Sequence, residues 1–117
     1  MKIFSCLALI LLLALMGCKD NEPAGPETYQ VKYSVTGSAT KVDITYENED
    51  GGTSQVAGAS VPWSYSFTGE KGDFVYISAQ NQDSTGTVTV TIYRDGDTFK
   101  TSTSSGAYVI ATASGTL

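Results

Sequence analysis

The chain has 117 residues but no histidine, only two cysteines (Cys6 and Cys18), three prolines and one tryptophan. Without an imidazole there is no Ser-His-Asp or Cys-His nucleophile system and no nitrogen ligand for zinc. Nor does any side chain titrate near neutrality when unperturbed. Basic residues are also scarce, Lys+Arg 7 against Asp+Glu 12, for a formal charge of −5. Phosphate backbones are bound by clustered cations that displace counterions, so this composition excludes nucleic acid as a partner. The length allows a single domain at most.

What the chain does have, first, is an address. Residues 1–17 carry one early charge, Lys2, and then an uncharged apolar run. A membrane span needs roughly 20 apolar residues, whereas this run stops sooner, at Cys18-Lys19-Asp20. That pattern is a helical secretory signal peptide, removed from the mature chain. Leu15-Met16-Gly17-Cys18 resembles the bacterial lipobox, with an aliphatic residue three before the cysteine and a small one just before it. The resemblance implies cleavage before Cys18, a diacylglyceryl group on its thiol and a further acyl chain, such as palmitate, on the new amine. Two or three such chains, at about 0.8 kcal/mol per buried methylene, hold a small domain at a membrane.

Loss of Lys2 with the signal takes Lys+Arg from 7 to 6 against 12 acidic residues, a mature net charge of −6. It also discards Cys6, so no disulfide can form within the chain, and stability must come from packing. Lys19-Asp20-Asn21-Glu22 resembles the Lys-then-acidic signal that sends lipoproteins to the cell surface in Bacteroidota. This implies a lipid-anchored envelope protein, on the outer membrane or cell surface of a Gram-negative cell. The plainer reading of the run is a solvated spacer beside the headgroups. Residues 18–28, charged and holding two prolines and a glycine, make the lipidated cysteine and a disordered tether.

From Tyr29 onward, apolar residues recur at every second position and no window has helical period. Tyr29, Val31, Tyr33 and Val35 alternate with polar residues, as do Val42, Ile44 and Tyr46, which predicts a hairpin around Gly37-Ser38. Thr53 to Ala57 is a weaker strand. Val61, Trp63, Tyr65 and Phe67 share one face of the next, with Pro62 confined to a strand start or an edge. Phe74 to Ile77 is apolar on both faces, as in a strand covered on both sides. Thr87 to Tyr93 alternates again, and Asp95-Gly96 favours a type I′ turn into Phe99 to Thr103. Tyr108 to Ala113 completes the set.

Residues 29–117 therefore predict an all-β domain, an immunoglobulin-like β-sandwich of about seven to eight antiparallel strands. An eight-stranded barrel is the alternative, but a cavity-bearing barrel needs longer strands. The predicted core is Val31, Tyr33, Val42, Ile44, Trp63, Tyr65, Phe67, Val75, Ile77, Val88, Val90, Ile92 and Ile110.

The order of short motifs is similar to the soluble domain of mycobacterial MmpS-type membrane proteins, accessories of lipid-exporting transporters. The matching pieces are Tyr33 to Ala39, Val42 to Tyr46, Val61-Pro62-Trp63-Ser64, Ile77-Ser78-Ala79-Gln80, Ile92 to Asp97 and Ser104-Ser105-Gly106-Ala107. They span nearly all of residues 29–117. The resemblance implies a compact sandwich outside the cytoplasmic membrane and, more distantly, an accessory role in envelope lipid transport. This chain departs from the pattern in two ways: a lipid anchor stands where those proteins have a transmembrane helix, and the last strands lack a cysteine pair.

Chemistry is sparse. The carboxylates sit at strand edges and turns, with no apolar surroundings to raise a pKa, and no Gly-x-Ser-x-Gly or Ser-x-x-Lys motif activates a hydroxyl. The chain reads as a non-enzyme with no cofactor. Asn48-Glu49-Asp50 and Asp95 with Asp97 offer oxygen ligands but lack calcium-loop spacing, so they read as turns and not as a metal site. A binding module is the favoured class. Tyr93 lies on the Thr face of its strand, opposite Val88, Val90 and Ile92, and with Arg94 and Asp95 forms a candidate surface for a protein or glycan partner. A purely structural envelope component is the third reading. Asp83-Ser84-Thr85 also matches a short O-glycan acceptor pattern of Bacteroidota.

Overall fold

The computed structural model describes residues 25–117. The signal segment, the lipobox and the Lys19 to Glu22 run lie outside the described residues. Eight strands follow in order: β1 (Thr28–Thr36), β2 (Lys41–Glu47), β3 (Thr53–Ser60), β4 (Trp63–Glu70), β5 (Phe74–Asn81), β6 (Thr87–Arg94), β7 (Asp97–Ser105) and β8 (Ile110–Thr116). They form two four-stranded antiparallel sheets, ordered β4-β1-β6-β7 and β3-β2-β5-β8. The all-β sandwich expected from the alternation is the fold the chain adopts.

Period-two alternation builds the core. Val31, Tyr33 and Val35 of β1 and Val88, Val90 and Ile92 of β6 are buried from the first sheet. Val42, Ile44 and Tyr46 of β2 and Val75, Ile77 and Ala79 of β5 are buried from the second. Each fully buried aliphatic side chain among them contributes about 1.5–3 kcal/mol relative to exposure. Tyr33 is the largest. Its hydroxyl donates to the Glu47 carbonyl at 2.7 Å and accepts from the Tyr76 amide at 3.3 Å. Burial pushes its pKa up to about 12.

Three expectations are corrected. The stretch from β1 to β2 is not a hairpin, because β1 pairs with β4 and β6 while β2 pairs with β3 and β5. Gly37 carries the chain across the sandwich so close to β6 that a Cβ there would collide with the Thr87 carbonyl oxygen. The hairpins joining sheet neighbours are β2–β3 and β6–β7. Strand β5 is buried on its inner face only: Phe74 is exposed and leans on half-buried Tyr76, ring centroids 6.3 Å apart.

The third correction concerns the core, and it separates the two long margins of the sandwich. Ile110 is exposed, because strand parity turns Ala111 and Ala113 inward instead. Small residues are needed there, since β8 approaches β7 closely: a Cβ on Gly115 would come within 2.8 Å of the Phe99 ring. Ser104 also donates from β7 to the Ile110 carbonyl at 2.8 Å. On the opposite margin Trp63, Tyr65 and Phe67 are only half-buried. They belong to edge strand β4 and fan toward the centre, Trp63 and Tyr65 against Tyr46 at 5.5 and 4.8 Å and Phe67 against Tyr33 at 5.3 Å. With no further strand to cover them, the rings keep one flank wet.

Because the strands run alternately up and down, the connections collect at two ends. One end holds the entry at Glu27, the turns at 48–52, 71–73 and 95–96, and eight acidic residues: Glu27, Glu47, Glu49, Asp50, Glu70, Asp73, Asp95 and Asp97. The other end holds the connections at 37–40, 61–62, 82–86 and 106–109, with Asp83 and, near the start of β2, Asp43, which accepts from the Gln82 side chain at 2.7 Å.

Candidate functional site

The outer face of the first sheet is covered by short polar side chains. Register aligns Ser66, Lys32, Tyr93 and Thr98 across β4, β1, β6 and β7, and in the next row Ser64, Ser34, Thr91 and Thr101. The hydroxyl pairs Thr89 with Thr103 and Thr91 with Thr101 lie 2.8 and 3.1 Å apart, which fixes their rotamers in a cross-strand ladder. Tyr93 is the single aromatic side chain on this face, as its parity with Thr89 and Thr91 predicts. A groove of about 300 Å³ opens beside it, lined by Gln30, Val31, Lys32, Ser66, Tyr93 and Gly96. The Lys32 ammonium stands 5.8 Å from the Tyr93 ring centroid, within range of a cation–π attraction.

The structure does not bring Arg94 and Asp95 to this groove. Arg94 has the opposite parity, and its guanidinium lies between the Phe99 and Tyr29 rings, 4.3 and 5.1 Å from their centroids. Asp95 and Gly96 have φ of 51° and 85°, the positive values a type I′ turn requires. The Asp95 carboxylate accepts the Gln30 amide at 2.8 Å and so fastens the turn to β1. Of the three sequence candidates, Tyr93 faces the groove and the other two hold the hairpin.

A second feature, not anticipated from sequence, is the less acidic end. Asn81 is fully buried. Its side-chain amide donates to the Thr85 and Gly106 carbonyls at 2.9 and 3.1 Å, and its Oδ1 accepts the Asp83 amide at 2.9 Å. Asp83 in turn accepts from the Thr40 backbone amide and hydroxyl at 2.9 and 2.8 Å, and these bonds lower its pKa. Three connections are thereby tied into one platform. On it Tyr108 adopts φ of 55°, uncommon for a bulky residue. Its amide donates to the Asp83 carbonyl at 3.1 Å and its carbonyl accepts from Gln80 at 3.2 Å. Tyr108 and Ile110 are 57% and 55% exposed. The one sequence signal for Asn81 is parity, since it continues the inward series Val75, Ile77, Ala79.

The turns behave as turns. Asn48 Oδ1 accepts the Asp50 and Gly52 amides at 3.0 and 3.1 Å, while its amide donates to Ser54 at 2.9 Å. Glu49 accepts the Tyr65 hydroxyl at 2.6 Å, and that bond to a carboxylate pushes the phenol up to about 12. Among the described residues, no group of three or more Cys, Asp or Glu is placed to hold a metal ion. Ser84 and Thr85 of the short acceptor pattern are exposed on the β5–β6 connection.

No curated protein matches the chain. The family model described as Mycobacterium membrane protein matches residues 13–113, from within the apolar leader to Ala113 of β8. The chain belongs to the Mycobacterium membrane protein family, as a cell-envelope-associated member built on an eight-stranded β-sandwich.

Proposed function

We propose that the protein is a lipid-anchored, non-catalytic binding module of the cell envelope, fixed through acyl chains on Cys18 and meeting its partner on the outer face of the first sheet. The observation that carries the binding role is the groove at Tyr93, where an aromatic ring and an ammonium stand beside Ser66 and Gln30 on a sheet face of short polar side chains. Support for the anchor comes from Leu15-Met16-Gly17-Cys18 and from the abrupt end of the apolar run. The Lys-then-acidic run after Cys18 supports display on the outer membrane or cell surface. The absence of histidine, and carboxylates that are exposed apart from half-buried Glu47 and Asp83, support a non-catalytic role.

Mass spectrometry of the protein extracted from membranes tests the anchor. The expected result is a chain starting at Cys18 with two or three acyl chains, and Cys18→Ala moves the protein to the soluble fraction. An unmodified Cys18 thiol ends the proposal. A second reading, accessory to an envelope lipid transporter, is favoured by family membership. Co-purification with a transporter in mild detergent, lost on Tyr108→Ser or Tyr93→Ala, would establish it over a free-standing binding module.

A further inference from the structure

We infer that the groove at Tyr93 is a glycan site, with an acidic sugar unit seated on the Tyr93 ring and its carboxylate on Lys32. The inference rests on the binding-module reading and names the ligand class. Three features of the same face carry it. First, Tyr93 is an isolated aromatic surface surrounded by hydroxyls rather than by other apolar side chains. A protein hot spot gathers several apolar anchors, whereas a sugar ring needs one aromatic face for its C–H edge and polar groups around it for its hydroxyls. Second, Gln30 lines the groove with its side chain already placed, the side-chain amide donating to Thr68 at 3.1 Å and the backbone amide to Asp95 at 2.8 Å. That contact reduces the side-chain entropy Gln30 has left to lose on binding.

Third, the charge around the groove selects an anion. Lys32 is the only charged side chain lining it. The two carboxylates flanking Gly96 are placed otherwise: Asp95 holds the Gln30 amide, and Asp97 pairs in register with Arg94, on the opposite parity from Tyr93. A concavity of about 300 Å³ is at the small end of ligand sites, the size for one sugar unit with its neighbours running along the sheet. A carboxylate draws the Lys32 ammonium off the ring, and the freed ring face receives the sugar.

The test is calorimetric titration of residues 18–117, made without the lipid, with a uronic-acid oligosaccharide and with the same oligosaccharide after reduction of its carboxyl groups to alcohols. The acidic form is expected to bind roughly tenfold more tightly than the reduced form. Tyr93→Ala should weaken it by a further roughly tenfold, Tyr93→Phe should not, and Lys32→Gln should erase the difference between the two forms. Circular dichroism melts establish that each variant is folded. Equal binding of the two forms, or an affinity unchanged by Tyr93→Ala, overturns the assignment.

A photo-crosslinking residue at position 93 in the native membrane separates this failure from that of the broader reading. A discrete protein adduct without glycan binding refutes the glycan and keeps the binding module. No adduct and no glycan binding refutes both.

Discussion

The two ends of the sandwich are built on different plans. At the acidic end no one side chain is shared among the turns: Asn48 closes 48–52, Asp95 ties its hairpin to β1, and the 71–73 turn is held by Asp73, which accepts the Glu70 amide at 2.9 Å, and by backbone bonds to Glu27 and Leu117 at 2.8 and 2.7 Å. At the other end a single buried amide, Asn81, and a single carboxylate, Asp83, join connections that are far apart in sequence. Damage at the first end should stay local, and damage at the second should spread.

The largest effect should follow Asn81→Ala, which orphans two carbonyls and one amide in a buried site. A loss of about 2–4 kcal/mol is expected, read by urea unfolding, with hydrogen exchange accelerated in 37–40, 82–86 and 106–109 together. Exchange confined to one connection would break the contrast between the ends. The alkaline limb comes next. Tyr33 and Tyr65 hold their protons to about pH 12 when folded, against 10 for a free phenol. Their stabilisation is complete below pH 10 and is lost as pH rises toward 12. Tyr33→Phe and Tyr65→Phe should each flatten that limb in melts followed between pH 9 and 12.

Smaller still is the acid limb. Asp83 has its folded pKa below the ordinary 3.8, so its contribution is present above that value and disappears as pH falls through the lowered one. Asp83→Asn should leave a shallower loss of stability than the parent shows as pH falls from about 5 to about 2. The smallest effect is expected from Asn48→Ala. About 0.5–1 kcal/mol should be lost from an exposed turn, with faster exchange at 50–52 and no change at 82–86.

The strands could be read because a residue's parity is fixed by its neighbours, and parity alone places Val31, Tyr33, Val42, Ile44, Val75, Ile77, Val88, Val90 and Ile92 inside. Parity does not say which strand lies at an edge. Trp63, Tyr65 and Phe67 point inward as expected yet remain half wet, because β4 has a neighbour on one side only. Nor does hydrophobicity report how closely two sheets approach: alanine and glycine line the β7–β8 margin where bulk would not fit, and Ile110 is left outside. At the candidate site, the outward position of Tyr93 was legible from the Thr repeat. The parity of Ile92 also turns Arg94 away from it, whereas Asp95 is held off by a bond to Gln30, 65 positions away, that no local pattern carries. The Asn81 platform depends on contacts between residues up to 43 positions apart, such as Thr40 with Asp83, which no local pattern encodes.

Among the described residues, eight carboxylates at one end against Asp83 and Asp43 toward the other also make the domain an electric dipole along its strands, with the negative pole where the chain enters at Glu27. If residue 18 is fixed to a surface bearing anionic headgroups, that surface repels the pole it is tied to within a Debye length of about 8 Å at physiological salt. Within that reach the domain turns its Asn81 end away from the surface. At low ionic strength that orientation should be strongest, and divalent cations that neutralise the pole should weaken it.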